Sequence, residues 1–235
     1  FQLEILYFCS TANSGGAMKK RFLILFLSAI LIPVMGSHEY QAAGIKRELK
    51  QELVQYLKSH WQLPEDYIIG KFKDYDIVFI GEAHKIKHDV QLIHTLIPRL
   101  YEIGVYNLGI EFGCHEYQNK LDSLITAKTY DEDLARWIMF KWGSYWGYEE
   151  YLDIYRKAWE LNKSLPQAAQ KFRVVNLDYR INWNLLKEGI NVSHSKVFHK
   201  GERDEHMANV ILEEFVNKNE KALIYTGQHH AFTHY

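Results

Sequence analysis

Carboxylates and imidazoles brought together can do two kinds of chemistry. They can hold a divalent metal that acidifies a bound water and polarises a carbonyl, or they can act directly as general acid and base. This chain carries such groups at four separated points. Glu82 and His84 follow the run Ile77-Val78-Phe79-Ile80 and the break at Gly81, and Glu111 stands near the end of NLGIEF. Asp178 ends FRVVNLD, and His229 and His230 follow KALIYTG. His84, Glu111, His230 and His229 form a ligand set suited to a first-row ion, which tips the expectation toward a divalent metal. Without metal, Glu82, His84, Glu111 and His230 supply bases and acids, and Arg203 orients an anionic group or steadies a developing oxyanion. His88, Asp178 and Asp204 are further pocket candidates. No G-x-S-x-G elbow is present, which argues against a serine nucleophile of that type.

These residues can meet only if the elements before them run in parallel. Four short apolar runs, near 76–81, 107–112, 172–177 and 221–226, alternate with helical patterns. That alternation predicts an α/β fold, a mostly parallel central sheet flanked by helices. Runs apolar at successive positions suit strands buried on both faces. In such sheets ligands bind outside the carboxyl ends of the strands, so all four ends with their ionisable groups share one edge. His88 opens the first following helix, and Arg203 and Asp204 open the last. Singly, each has a plainer reading: a structural histidine, a capping or paired Glu111, an Arg203 paired with Asp204 or Glu205. Gly-x-x-His occurs from Gly81 and from Gly227, about as often as composition alone yields; its placement at two strand ends carries the signal. Cys114 reads as an inert thiol.

Between the second and third runs, residues 115–162 are helical and crowded with aromatics, among them Trp137, Phe140, Trp142, Tyr148, Tyr151, Tyr155 and Trp159. Gly143, Ser144 and Gly147 break the pattern in the middle. An insertion at strand ends serves as a lid over a site or as a satellite core. Residues 41–60 read as an amphipathic helix that packs through Ile45, Leu49, Leu53, Tyr56 and Leu57. Pro98 is expected to kink or shorten the helix after His88, and Gly104 to close it. A last amphipathic helix, 203–217, faces inward through Met207, Val210, Ile211 and Phe215. Residues 180–202 read as a loop with weak helical character; the sequon at Asn191 is given no weight.

The chain has 235 residues, 47% of them hydrophobic, which suits one domain with a substantial core. Its net charge of -1 gives no field that would gather nucleic acid or an anionic membrane. Met18-Lys19-Lys20-Arg21 and the apolar run to Gly36 match a secretory signal peptide, with cleavage expected after Gly36. An uncleaved segment would be the one tie to a membrane. Residues 1–17 are expected to be upstream sequence outside the fold, leaving 37–235 as one α/β domain, truncated at its carboxyl end if its relatives are a guide. Cys9 lies in the excluded part, so the mature chain has no disulfide, and export places it as a secreted, periplasmic or cell-surface protein.

The order GEAH, NLGIEF, WGSYWGYEEYLDIYRKAWELN, RDEHMANVI, GQHH resembles the superfamily that joins erythromycin esterases, ChaN-type haem-binding proteins and Tiki proteases. The resemblance runs from about residue 70 to the end. Its shared motifs fall on Glu82 and His84, Glu111, Arg203 and Met207, and Gly227 and His230; GEAH places its histidine one residue earlier than the esterase pattern. It implies a hydrolase acting on an ester or amide bond in a small molecule or peptide, metal-dependent on the Tiki side and metal-free on the esterase side. On the ChaN side it implies haem binding for iron uptake, with Tyr and His as iron ligands.

Overall fold

The computed structural model describes residues 2–8, 22–28, 47–143, 147–179 and 203–231, the first two segments as backbone only. The expected loop at 180–202 and the break residues Ser144, Tyr145 and Trp146 lie outside these. Strands β1 (Gln2–Phe8), β2 (Phe22–Ser28), β3 (Ile77–Glu82), β4 (Asn107–Cys114), β5 (Arg173–Asp178) and β6 (Ala222–Gly227) form one sheet in the order β1-β2-β3-β6-β4-β5. Every pairing from β2 to β5 is parallel, and β1 alone is antiparallel. The four expected strands are present within a residue or two of their expected bounds, and the α/β class holds. Two strands come from segments expected to lie outside the fold; cleavage after Gly36 would remove both and leave β3 at the edge.

The helices are α1 (Arg47–Ser59), α2 (Pro64–Lys71), α3 (Lys87–Glu102), α4 (Gln118–Thr126), α5 (Glu132–Trp142), α6 (Glu149–Ser164), α7 (Arg203–Ile211) and α8 (Gln228–Ala231). Side chains alternate across a strand, and here both faces are apolar. Val78, Ile80, Leu223 and Tyr225 join the core under α3–α6, whereas Ile77, Ile224, Val175 and Leu177 pack with Met207, Val210, Ile211 and Phe215. This two-sided burial is why the strands lack an apolar–polar alternation. α7 ends at Ile211 and passes into a π turn, Leu212–Val216, instead of running on to 217 as one helix.

Two other expectations need correction. Pro98 neither ends nor shortens α3, which continues to Glu102. Leu96, Ile97 and Leu100 are fully buried around it, and that packing outweighs one lost backbone bond near the last turn. Gly104 does close the helix, at φ 79°. In α1 the apolar stripe does not pack: Leu53 and Leu57 remain 47% and 65% exposed. Among the described residues no helix is long and apolar enough to cross a membrane.

The fold positions its chemistry by one topological choice. β3 and β4, joined by α3, are not neighbours, because β6 is inserted between them. The last strand therefore runs through the middle of the sheet, with Gly227 opposite Glu82. β5 is locked to α6 by Asn162, whose side chain accepts from Phe172 N (2.7 Å) and donates to Phe172 O (2.8 Å) and Ile125 O (3.1 Å). Asn162→Ala leaves three buried backbone groups unpaired or poorly paired. It is expected to destabilise the protein by about 3 kcal/mol, read as a lowered midpoint in urea unfolding.

Candidate functional site

At the carboxyl edge, Glu82 extends the face of Val78 and Ile80 and is fully buried. Its carboxylate accepts from the Tyr151 hydroxyl on both oxygens, at 2.7 and 2.9 Å, and from the Tyr225 hydroxyl. Burial and the neighbouring Glu82 charge push both phenols upward in pKa, so they remain donors. His84 Nδ1 lies 2.8 Å from Glu82 Oε1. With that oxygen accepting, the proton sits on Nδ1 and the lone pair on Nε2. The His84 side chain is 37% exposed and open to water. Its ring stands edge-on to Phe112, which also meets Trp142, Tyr151 and Tyr225, so one buried phenylalanine forms the floor.

The other half of the cluster centres on Glu111, buried to 2%. Arg203 Nη2 donates to its Oε1 at 2.8 Å, and the Gly227 backbone N–H to its Oε2 at 2.6 Å. His230 Nε2 is 3.3 Å from Oε1, while its Nδ1 hydrogen-bonds Asp204. Arg203 also grips Asp178 through Nε (2.9 Å) and Nη2 (2.6 Å), and Trp142 Nε1 donates to the same Asp178 oxygen at 2.7 Å. Arg203 reaches over the strand ends from α7 and Trp142 from α5, so the two layers of helix close on one carboxylate. Burial alone would raise the pKa of Glu111, but the His230 hydrogen bond and charge, the Arg203 charge and the Gly227 N–H draw it down to about 2. His230 moves upward: its hydrogen bond and attraction to Glu111, helped by Asp204, outweigh burial and Arg203. The result is an imidazole, carboxylate and guanidinium group that favours the charged form of His230, beside a second imidazole held on its own carboxylate.

Glu82, His84, Glu111, Arg203, His230, Asp178 and Asp204 are thus all brought to one edge. His88 and His229 are exposed on α3 and α8. The expected metal ligand set does not form. Glu111 is filled by a guanidinium and a backbone N–H, both nitrogens of His230 face carboxylates, and a cation already occupies the centre. Among the described residues no group of three His, Cys, Asp or Glu could hold a metal ion. The donor chemistry therefore does not fit a divalent metal. Cys114 is fully buried in the core, as an inert thiol should be.

Tyr151, Tyr225 and Trp142 are site residues not singled out in sequence. Tyr151 and Trp142 belong to the aromatic segment, whose role was left open between lid and core; both side chains are buried in the core and donate to strand-end carboxylates. Tyr225 lies two residues before Gly227, on the same face of β6, and that alternation was the available signal.

A parallel α/β sheet with an acid–base cluster at its carboxyl edge defines the class. The chain matches the family described as haem-binding uptake, Tiki superfamily, ChaN, over residues 68–190, a little over half its length, and it belongs to that family. No curated protein matches it. Among solved structures it is similar to ChaN of Campylobacter jejuni, described with cofacial haem binding, at 15% identity and TM-score 0.49, covering 73% of this chain and 78% of that one. The type III effector HopBA1 shares 17% identity at TM-score 0.49, over 70% and 71% of the two chains. RRSP, a MARTX toxin effector domain from Vibrio vulnificus, shares 16% at TM-score 0.46, over 77% of this chain and 33% of that one. At these scores nothing of their activities is carried over.

Haem, implied by the family, would find the Tyr151 and Tyr225 phenols at the strand ends already engaged. The phenols of Tyr151 and Tyr225 are buried and spent on Glu82. Outside the cluster, Tyr148 and Phe140 are about half exposed, at 46% and 47%, and Phe140 lies against Gly147.

The depressed Glu111 gives a pH prediction. A lowered carboxyl contributes stability that is complete above its ordinary value of 4.5 and fades as pH falls toward about 2. Glu111→Gln is expected to melt lower than the wild type at pH 6, with the gap closing between pH 4.5 and about 2; calorimetry of both proteins across that range checks it.

Proposed function

We propose that the strand-end cluster is a metal-independent acid–base site that hydrolyses an ester or amide bond. One observation carries this reading: two imidazoles sit around one buried glutamate, each fixed by its own carboxylate but in opposite electrostatic settings. Paired titratable groups whose surroundings differ in this way are suited to the roles of base and acid. His84, steadied at Nδ1 by Glu82 and reachable by water, takes a proton from the attacking water at Nε2. The water oxygen bonds to the carbonyl carbon, and negative charge gathers on the carbonyl oxygen. Arg203 and the charged His230 provide the positive face for it; the Nη1 arm of Arg203, 3.3 Å from His230 Nε2, is the one not committed to a carboxylate among the described residues. As the carbonyl carbon parts from the alcohol or amine, His230 gives that leaving group its proton. The proton held on His84 returns to solvent, and His230 takes one back from solvent to restore the starting state. Glu111 keeps His230 charged and in place between Arg203 and the bond being broken.

If the imidazoles act as one unit, their losses do not add. Expected on a panel of esters and peptides is a drop in kcat on the order of 10³-fold for His84→Ala and for His230→Ala, with the double variant little worse. Wild-type turnover in His84→Ala would overturn the proposal.

The family description favours a second reading, haem binding, for which the exposed Tyr148 and Phe140 rather than the buried cluster offer a surface. Titration with hemin separates the two. A Soret shift that saturates at one haem per chain and is lost in Tyr148→Ala supports the second reading; an unshifted band leaves hydrolysis.

A further inference from the structure

His84 sits on a strained turn, and one phenol spans it. His84 and Lys85 lie between β3 and α3, and Lys85 adopts φ 67°, the left-handed region that L side chains disfavour. Such a conformation persists only where its surroundings hold it. Here the first turn of α6 lies across it. The Tyr151 hydroxyl accepts from Lys85 N at 3.2 Å. The same oxygen donates to Glu82, 2.7 Å from Oε1 and 2.9 Å from Oε2. Next to Tyr151, Glu150 pairs with Lys87 at 2.8 Å, and its carbonyl oxygen lies 2.8 Å from His94 Nε2 on α3. Residues 150 and 151 therefore meet the chain before the turn, within it and after it.

Packing does not need this hydroxyl. The Tyr151 ring is buried edge-on to Phe112, at 4.9 Å between centroids, a contact that a phenylalanine would make as well. The hydroxyl supplies something else, a link between two parts of the base. One is Glu82 Oε1, which also lies 2.8 Å from His84 Nδ1. The other is the backbone one residue after His84. Burial first, then the Glu82 charge, pushes the pKa of the phenol up. Its oxygen therefore keeps a proton for Glu82 and a lone pair for Lys85. Tyr225 provides a comparison within the same site. It donates to the same carboxylate from β6 and, among the described residues, to no part of the turn.

We propose that Tyr151 is a positioning residue: its hydroxyl ties the left-handed turn at Lys85 to Glu82 and so keeps His84 Nδ1 on that carboxylate. Its effect on rate rests on the hydrolytic reading; its effect on geometry does not. Two variants of the full chain separate the roles. Tyr151→Phe keeps the ring and removes the link. Tyr225→Phe takes the other phenol from Glu82 and leaves the link in place. The first readout is hydrogen exchange of the Lys85 amide. It is expected to be slow in the wild type and in Tyr225→Phe, and faster on the order of tenfold in Tyr151→Phe. The second is the low-field proton resonance of the His84 Nδ1–H, assigned by its loss in His84→Ala. It is expected in the wild type, and lost or exchange-broadened in Tyr151→Phe. Misplacing the base predicts a fall in kcat on the order of 10²-fold for Tyr151→Phe. KM should change by no more than about twofold, because ground-state binding is untouched. A packing role alone would lower the melting temperature of Tyr151→Phe and leave the exchange rate, the resonance and kcat as in the wild type. Any of these three unchanged in Tyr151→Phe overturns the proposal, and so does an equal loss of Lys85 protection in Tyr225→Phe. Should Tyr151→Phe not fold, the wild type decides: a protected Lys85 amide sustains the link, and free exchange there refutes it. If the wild type hydrolyses nothing on the panel, the functional reading fails while the exchange rate and the resonance still judge Tyr151.

Discussion

Everything at the carboxyl edge depends on one absent side chain. β6 threads between β3 and β4, which puts Gly227 at the centre of the sheet, opposite Glu82. Its N–H is spent on Glu111, and the space over its Cα is filled by the His84 ring. A methyl group there would lie 2.3 Å from His84 Cε1 and 3.2 Å from Glu111 Oε2. Only glycine allows the His84 ring on one strand and the buried Glu111 carboxylate on another to share the same few ångströms. Gly81 repeats the device on a smaller scale, since its Cβ would collide with the Gln228 backbone at the start of α8.

Around that gap the charges are arranged in two compartments. On the β3 side one carboxylate, Glu82, receives three donors, two of them phenols that desolvation keeps protonated. A carboxylate so saturated is a rigid acceptor for His84 rather than a rival base. On the β4 and β5 side Arg203 bridges Glu111 and Asp178. Burying such a cluster carries a desolvation penalty, so it is weak evidence for stability. Its effect is better seen in position and charge: it fixes Glu111, favours the charged form of His230, and fills the centre that a metal would need. Two histidines that look alike in sequence, each three residues after a glycine, therefore have different electrostatic roles.

Much of this was legible from the chain alone. Four runs ending in ionisable residues imply a parallel sheet with one reactive edge, because helical crossovers leave no other way to pair them. Glu82, His84, Glu111, Arg203, His230, Asp178 and Asp204 follow from their places at those ends. Strand order does not, since no local pattern says that the last strand inserts between the first two. Without that order the guanidinium and Glu111 could not be paired, and one glutamate with three histidines read naturally as metal ligands. His88 and His229 show the limit of placement by proximity in sequence: both adjoin strand ends, yet α3 and α8 turn them outward. The phenols of Tyr151 and Tyr225 were hidden for a different reason, since buried aromatics look alike in sequence whether or not the hydroxyl is used. Pro98 lies inside α3 rather than ending it early, because its neighbours' burial, a tertiary effect, overrides its local penalty.

The sharpest question is whether the imidazole pair alone activates water. Protein stripped with chelator and assayed in ¹⁸O-labelled water, with excess chelator throughout, answers it on whichever ester or amide the chain turns over. The acid–base site predicts an undiminished rate and one labelled oxygen in the product carboxylate. Turnover that vanishes on chelation and returns with added divalent metal would contradict it.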